Sequence, residues 1–182
     1  MTTTLNGWDV EAVTQAITMV KEQPEAGLLT WRGRSTWDGG FGLDVHTREI
    51  EQLGEVMDRH FTLRNDHPPE LLGHNTGTTA VETVLAALGA CMTGQFAAEA
   101  TARGVRIDGL TVDLECTTDL NGMFGLQPIR PGLRDVTLSY RVASDADEET
   151  LQEILDAARS RSPVFDTVTK PVAVATTLQK ES

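Results

Sequence analysis

Among the residues able to do chemistry, Cys91 has the most informative surroundings. It lies in the middle of TAVETVLAALGACMTGQFAAEATAR (79–103), the longest apolar-periodic stretch of the chain. Val81, Val84, Leu85, Leu88, Met92 and Phe96 recur at helical spacing. Ala86, Ala87, Ala90, Ala97, Ala98 and Ala100 keep the remaining faces small. So many apolar faces predict a central helix packed on several sides. Cys91 follows Leu88 by three residues and Val84 by seven, so it is expected to face inward. The chemistry open to such a cysteine is nucleophilic attack by its thiolate. A free thiol ionises near pH ~8.5, earlier beside a cation and later in apolar surroundings. No Lys or Arg stands within a turn of Cys91, so an activating cation must come from elsewhere in the fold. The plainer reading, a small buried residue, is the commoner fate of a free cysteine. It is the reading for Cys116, which sits mid-strand on an apolar face. His46, His60, His67 and His74 fall in separate segments, and no Cys/His cluster has metal spacing. Neither a metal nor a cofactor is expected.

The elements that would position this helix follow from periodicity. Residues 8–22 read as an amphipathic helix with Val10, Val13, Ile17 and Val20 on one face, Asn6 as a cap, and Pro24 and Gly27 as its end. Residues 28–37 and 41–50 read as strands joined by a hairpin at Asp38-Gly39-Gly40, with 56–65 as a third strand. DHPPELLGHNTGTT (66–79) is a loop by composition and delivers the chain to the central helix. After Gly104, residues 105–120 and 133–144 alternate as strands, with a turn or excursion at 121–132. Residues 145–161 read as a helix, acidic in its first turn and basic in its last. Ser162-Pro163 stops it, and PVAVATTL (171–178) reads as a last strand. Sets of adjacent strands separated by single helices make the class α+β, with largely antiparallel pairing.

Composition narrows the partners. The 182 residues suffice for one domain with a terminal extension. A net charge of −12 argues against non-specific nucleic-acid binding and against docking on anionic membranes. No run approaches the roughly 20 apolar residues of a membrane span. MTTTLNGWDVEAV lacks the basic-then-apolar order of a signal peptide. Two distant cysteines make no disulfide framework, so the default location is a reducing cytoplasm.

Several motifs in order carry a resemblance: PPELLG, a Glu nine residues before a Cys in ETVLAALGAC, then MFGLQPIRPGLRDVTLSYRV, then SPVFDTVTKPVAV. Together they resemble the OsmC/Ohr family over about residues 28–180. That leaves 1–27 as an N-terminal helical extension and 28–182 as an OsmC-like domain. The resemblance implies mainly antiparallel sheets around the central helix, an intertwined homodimer and cysteine-based reduction of organic hydroperoxides or hydrogen peroxide. In the family one cysteine attacks the peroxide, a second resolves the sulfenic acid as a disulfide, and an Arg and a Glu activate the first thiol. Carried over, Cys91 is the attacking cysteine and Glu82 the activating glutamate. The resolving position is Ser162, in SPV where the peroxidases have Cys-Pro-Val. The Arg belongs near the first hairpin, where Arg32, Arg34 and Arg48 are available; Arg48 is the choice. His67 and His74, flanking PPELLG, are pocket candidates.

Glu82 and Cys91 differ by nine residues (91 − 82 = 9), which on a straight helix sets them on opposite faces and about 13 Å apart along the axis. To share a site, either the helix kinks or Glu82 reaches a partner subunit's Cys91. The expected function is thiol-dependent peroxide reduction through Cys91 alone, with an external thiol as resolver. The alternative is a binding or sensing protein on the same scaffold, holding a small apolar ligand with Cys91 in the pocket. Non-redox chemistry at Cys91 is a third reading, without a readable Cys–His pair to support it.

Overall fold

A computed structural model of the protein describes residues 4–181. The chain divides into two compact units: residues up to 86 with 115–136, and residues 87–114 with 137 onward.

The first unit begins with two short paired strands, β1 (Thr4–Leu5) and β2 (Trp8–Asp9), then helix α1 (Val10–Glu22). The cap of α1 is Asp9, not Asn6: its carboxylate accepts from the N–H groups of Glu11 and Ala12. Asn6 and Gly7 instead take positive φ in the turn between β1 and β2. None of the α1 residues is buried. After a 3-10 turn at Pro24–Gly27 come β3 (Leu29–Gly39) and β4 (Gly42–Gln52), an antiparallel hairpin turning at Gly39 and Gly40.

The single strand expected at 56–65 is broken in two. β5 (Glu55–Asp58) and β6 (Thr62–Asn65) both pair antiparallel with β4. The Thr47 hydroxyl fills the break, donating to the carbonyl of Arg59 and accepting from the N–H of Phe61. Loop 66–79 follows, with a 3-10 turn at Pro69–Leu71.

Helix α2 (Ala80–Ala102) matches the expected central helix almost residue for residue. Its 23 residues and mean hydropathy of 1.3 make it, among the described residues, the one helix long and apolar enough to cross a membrane. Its buried residues are nonetheless part of a protein core: Leu88, Met92, Phe96 and Ala100 pack with Ile154 and Ala158. Those last two belong to helix α4 (Glu148–Arg161), which Asp147 caps by accepting from the N–H of Thr150. β7 (Gly109–Thr117) pairs with β8 (Arg134–Ala143) and adds Leu110, Leu138, Tyr140 and Val142 to this core. Each fully buried side chain of this size contributes roughly 1.5–3 kcal/mol, so the core outweighs any single polar contact here. The excursion after β7 contains a short helix, α3 (Leu120–Met123), capped by Asp119.

The C-terminal end departs from the sequence pattern. Residues 163–169, to which periodicity assigns no element, form helix α5 (Pro163–Thr169), capped by Ser162 and with Pro163 at its first position. Residues 171–178, expected as a strand, are in no strand. A strand exists by pairing, and this alternating segment has no neighbour to pair with among the described residues. Val172, Val174 and Leu178 are exposed. The Ser-Pro-Val motif therefore both ends α4 and heads α5.

Candidate functional site

Cys91 lies in the second unit, on the middle turns of α2 between the buried Leu88 and Met92, and is itself half-buried. Opposite it stands Ser162, at the junction of α4 and α5. The Ser162 hydroxyl donates to Cys91 Sγ at 3.1 Å and accepts from the N–H of Phe165 at 3.1 Å. Ser162 is 1% exposed, so its one oxygen is committed to two partners: the first turn of α5 and the thiol. The two positions singled out for attack and resolution thus face each other, with a hydroxyl where disulfide formation would need a second sulfur.

Along the same helix, Gln95 and Glu99 follow Cys91 at four-residue steps, which places the three on one face. Glu99 is 5% exposed. Gln95 donates to its Oε1 at 3.0 Å, and Arg161 Nη1 reaches both carboxylate oxygens, at 2.8 and 2.7 Å. Arg161 immediately precedes Ser162, so the Glu99–Arg161 ion pair pins the end of α4 to α2 and sets Ser162 on Cys91. The sequence reading missed this pair. The available signal was a glutamate inside an otherwise apolar helix, which must find a partner when buried.

The other candidates belong to the first unit. Glu82 forms a reciprocal cap with Thr79: its carboxylate accepts from the Thr79 N–H at 2.7 Å, and the Thr79 hydroxyl accepts from the Glu82 N–H at 3.1 Å. The Thr79 N–H holds the carboxylate below its usual range, the Thr79 hydroxyl adds to this, and the charge of His67 acts in the same direction. α2 is continuous between Glu82 and Cys91, so nine residues of unbroken helix separate them within one chain.

His67 stacks flat on Phe41, ring centroids 4.0 Å apart. His67 and His74 also give their backbone N–H groups to Asp66, which accepts the N–H and hydroxyl of Thr76 as well. Burial alone would push the Asp66 carboxyl up, but these donors outweigh it and hold it far below the carboxylate range. The loop is tight around this carboxylate: a Cβ on Gly73 would stand 1.9 Å from the His67 carbonyl oxygen.

Arg48 lies on β4, exposed. Arg32 is committed to Glu49 and Glu51, whereas Arg34 and Arg48 have no ion pair among the described residues. Cys116 occupies a half-buried position on β7, where residues alternate between half-buried and exposed. Among the described residues, no group of His, Cys, Asp and Glu could hold a metal ion.

Comparison with known proteins bears on the fold and the family. No curated protein sequence matches the chain. Among solved structures it is similar to an OsmC-like protein from Mycoplasma pneumoniae, with a TM-score of 0.60 and 18% identity over 77% of this chain and 87% of that one. It is also similar to an organic hydroperoxide resistance protein from Elizabethkingia anophelis, with a TM-score of 0.56 and 16% identity over 78% and 89% of the two chains. A third likeness is to an organic hydroperoxide resistance protein from Legionella pneumophila, with a TM-score of 0.53 and 15% identity over 76% and 88%. At these identities the likenesses show the mixed α and β fold with antiparallel sheets. A family model described as OsmC-like protein matches residues 73–177, more than half of the chain, including α2 with Cys91 and the α4–α5 junction with Ser162. This chain belongs to the OsmC-like protein family.

Proposed function

We propose that this OsmC-like protein reduces organic hydroperoxides or hydrogen peroxide through Cys91 alone, with an external thiol completing the cycle. The observation that carries this reading is the 3.1 Å hydrogen bond from the buried Ser162 hydroxyl to Cys91 Sγ. A hydroxyl donor aimed at sulfur favours the anionic nucleophile, as charge-assisted hydrogen bonds do. It cannot itself become a disulfide partner.

The Cys91 thiolate attacks the distal peroxide oxygen. The S–O bond forms as the O–O bond breaks, and the alcohol or water leaves after taking a proton. Cys91 is then a sulfenic acid. One external thiol displaces water to give a mixed disulfide, and a second releases Cys91 and departs as the oxidised disulfide. Ser162 remains a hydrogen-bond donor throughout.

In this reading the working species is a cytoplasmic homodimer in which Glu82 and Arg48 of one subunit serve Cys91 of the other. The continuous helix between Glu82 and Cys91 supports that arrangement over action within one chain. So does the large apolar surface left exposed, including Trp31 at 70%, Trp37 at 71% and Leu126 at 70%. Two of the structural relatives are organic hydroperoxide resistance proteins, which fits the substrate class.

The test is single-turnover mixing of reduced protein with cumene hydroperoxide, read by intact mass and a sulfenic-acid trap, with Cys91→Ser as control. A trapped adduct that requires Cys91 is the expected result. No adduct at a large excess of peroxide overturns the reading and leaves ligand binding on the same scaffold.

A further inference from the structure

In a chain with 27 acidic and 15 basic residues, arginines should find carboxylates easily. Eight of the twelve do: Arg32, Arg64, Arg103, Arg106, Arg134, Arg141, Arg159 and Arg161. Among the described residues, Arg34, Arg48, Arg59 and Arg130 have no ion pair.

Two of these four line one cleft of about 290 Å³ on the β3–β4 sheet, together with His46 and His60. The pairing register explains why they meet. Arg34 on β3 lies opposite His46 on β4, which lies opposite Thr62 on β6, so the three form one cross-strand row. Arg48 and His60 enter through irregularities at one level of the sheet. On one side of β4 the register slips between Arg32 and Gly33, which pair with Glu49 and Thr47, and leaves Arg48 as the extra residue. On the other side, pairing passes from Glu49–Asp58 to His46–Thr62, so Thr47 and Arg48 face the three residues Arg59, His60 and Phe61. Bulges of this kind re-aim side chains and recur beside functional sites. The remaining free cation nearby, Arg59, lies over the Phe61 ring at 5.0 Å.

We propose that this cleft is a binding site for a small, doubly charged oxyanion of the phosphate type, inorganic phosphate or a phosphate monoester. Two guanidinium groups present planar pairs of N–H donors that match phosphate oxygens. The imidazoles of His46 and His60 add ring donors, and the Thr62 hydroxyl is held within the same row by His46 Nδ1 at 2.9 Å. A single carboxylate would neutralise only one of the two arginines, so a dianion is the better match. The cleft volume admits a compact ligand, and the chain's net charge of −12 disfavours a nucleic acid as the source of the phosphate. The cleft shares Arg48 with the peroxide reading, so its test uses Arg34 and His60, which that reading does not use.

The test is calorimetric titration of the full-length protein with inorganic phosphate and, separately, with phenyl phosphate at the same ionic strength. Saturable binding is expected. A stronger response to phenyl phosphate identifies an ester, with its apolar group on Phe61; an equal or weaker one identifies the free anion. Arg34→Gln should weaken binding about tenfold or more, the loss of one charge-assisted contact. His60→Gln should weaken it less. Arg130→Gln removes the same charge from an arginine equally free of ion pairs and should leave binding unchanged. Thermal melts of all three variants check folding. Absence of saturable binding, or equal weakening by Arg34→Gln and Arg130→Gln, overturns the proposal, since the latter would show only diffuse attraction.

Discussion

Asp66 in the first unit and Glu99 in the second are both nearly buried carboxylates, 1% and 5% exposed, and their surroundings answer the same desolvation problem differently. Asp66 sits in a loop whose backbone N–H groups are not consumed by helix or sheet. It collects those of His67, His74 and Thr76, with the Thr76 hydroxyl, and needs no cation. Glu99 sits inside a helix, where each N–H is already spent on the carbonyl four residues back. It must take side chains: Gln95 from the turn before and Arg161 from α4. The first arrangement orders one loop. The second ties two helices together and thereby sets the geometry of Cys91. A buried carboxylate in a loop is a local organiser, whereas one on a helix becomes a link between elements.

The comparison can be broken most severely through the apolar core that surrounds the Glu99 link. Phe96→Ala should cost about 3–5 kcal/mol in chemical denaturation, because the ring is fully buried and the site cannot collapse around the loss. Arg161→Ala should cost about 2–3 kcal/mol, less than a wholly buried pair because Arg161 is 65% exposed and water can approach the stranded carboxylate. It should also slow alkylation of Cys91, since Ser162 loses its anchor. A Glu99→Met/Arg161→Met pair should recover most of the stability without recovering the reactivity, which separates packing from positioning.

Ser162→Ala should cost about 1 kcal/mol through the lost cap of α5 and reduce the Cys91 alkylation rate several-fold, measured with a thiol reagent against pH. Ser162→Cys should convert the pair to a disulfide upon one equivalent of peroxide, detected by intact mass before and after reduction. Failure to form it would mean that Cys91 does not react with peroxide or does not meet position 162 in solution.

The loop half of the comparison responds to acid. The folded Asp66 carboxyl ionises at lower pH than its unfolded value of about 3.9. Its contribution to stability is therefore complete above that value and is lost as pH falls through and below it. Hydrogen exchange of the His67, His74 and Thr76 amides should accelerate across that window while the amides of α4 stay protected.

The smallest effect expected has the opposite sign. The Tyr140 hydroxyl is buried with no hydrogen-bond partner among the described residues, and burial pushes its pKa up. Tyr140→Phe should leave stability unchanged or raise it by up to about 1 kcal/mol in a thermal melt.

Much of the fold was legible because its signals are local. The apolar period of 79–103, the Gly39-Gly40 turn, the charge order of 145–161 and the alternation of 109–117 each specify an element within its own length. The errors share a cause. The break between β5 and β6 depends on Thr47, a residue of another strand. Helix α5 was missed because Val164, Thr167, Val168 and Thr169 suggest a strand, while the Ser162 cap and the packing of Val164, Phe165 and Val168 on the core favour a helix. The segment 171–178 has a strand's pattern without a strand's partner.

For the site, the sequence singled out Cys91 by its place on a small-residue helix and, through the family resemblance, Ser162 in the Ser-Pro-Val motif 71 residues later. Tertiary structure alone decided that the serine hydroxyl lies on the sulfur, that Glu99 and Arg161 hold it there, and that Arg34, Arg48, His46 and His60 share one cleft. Those facts depend on helix contacts and strand register. Contacts between distant segments are set by the burial and pairing of the whole chain, and no window of sequence contains them.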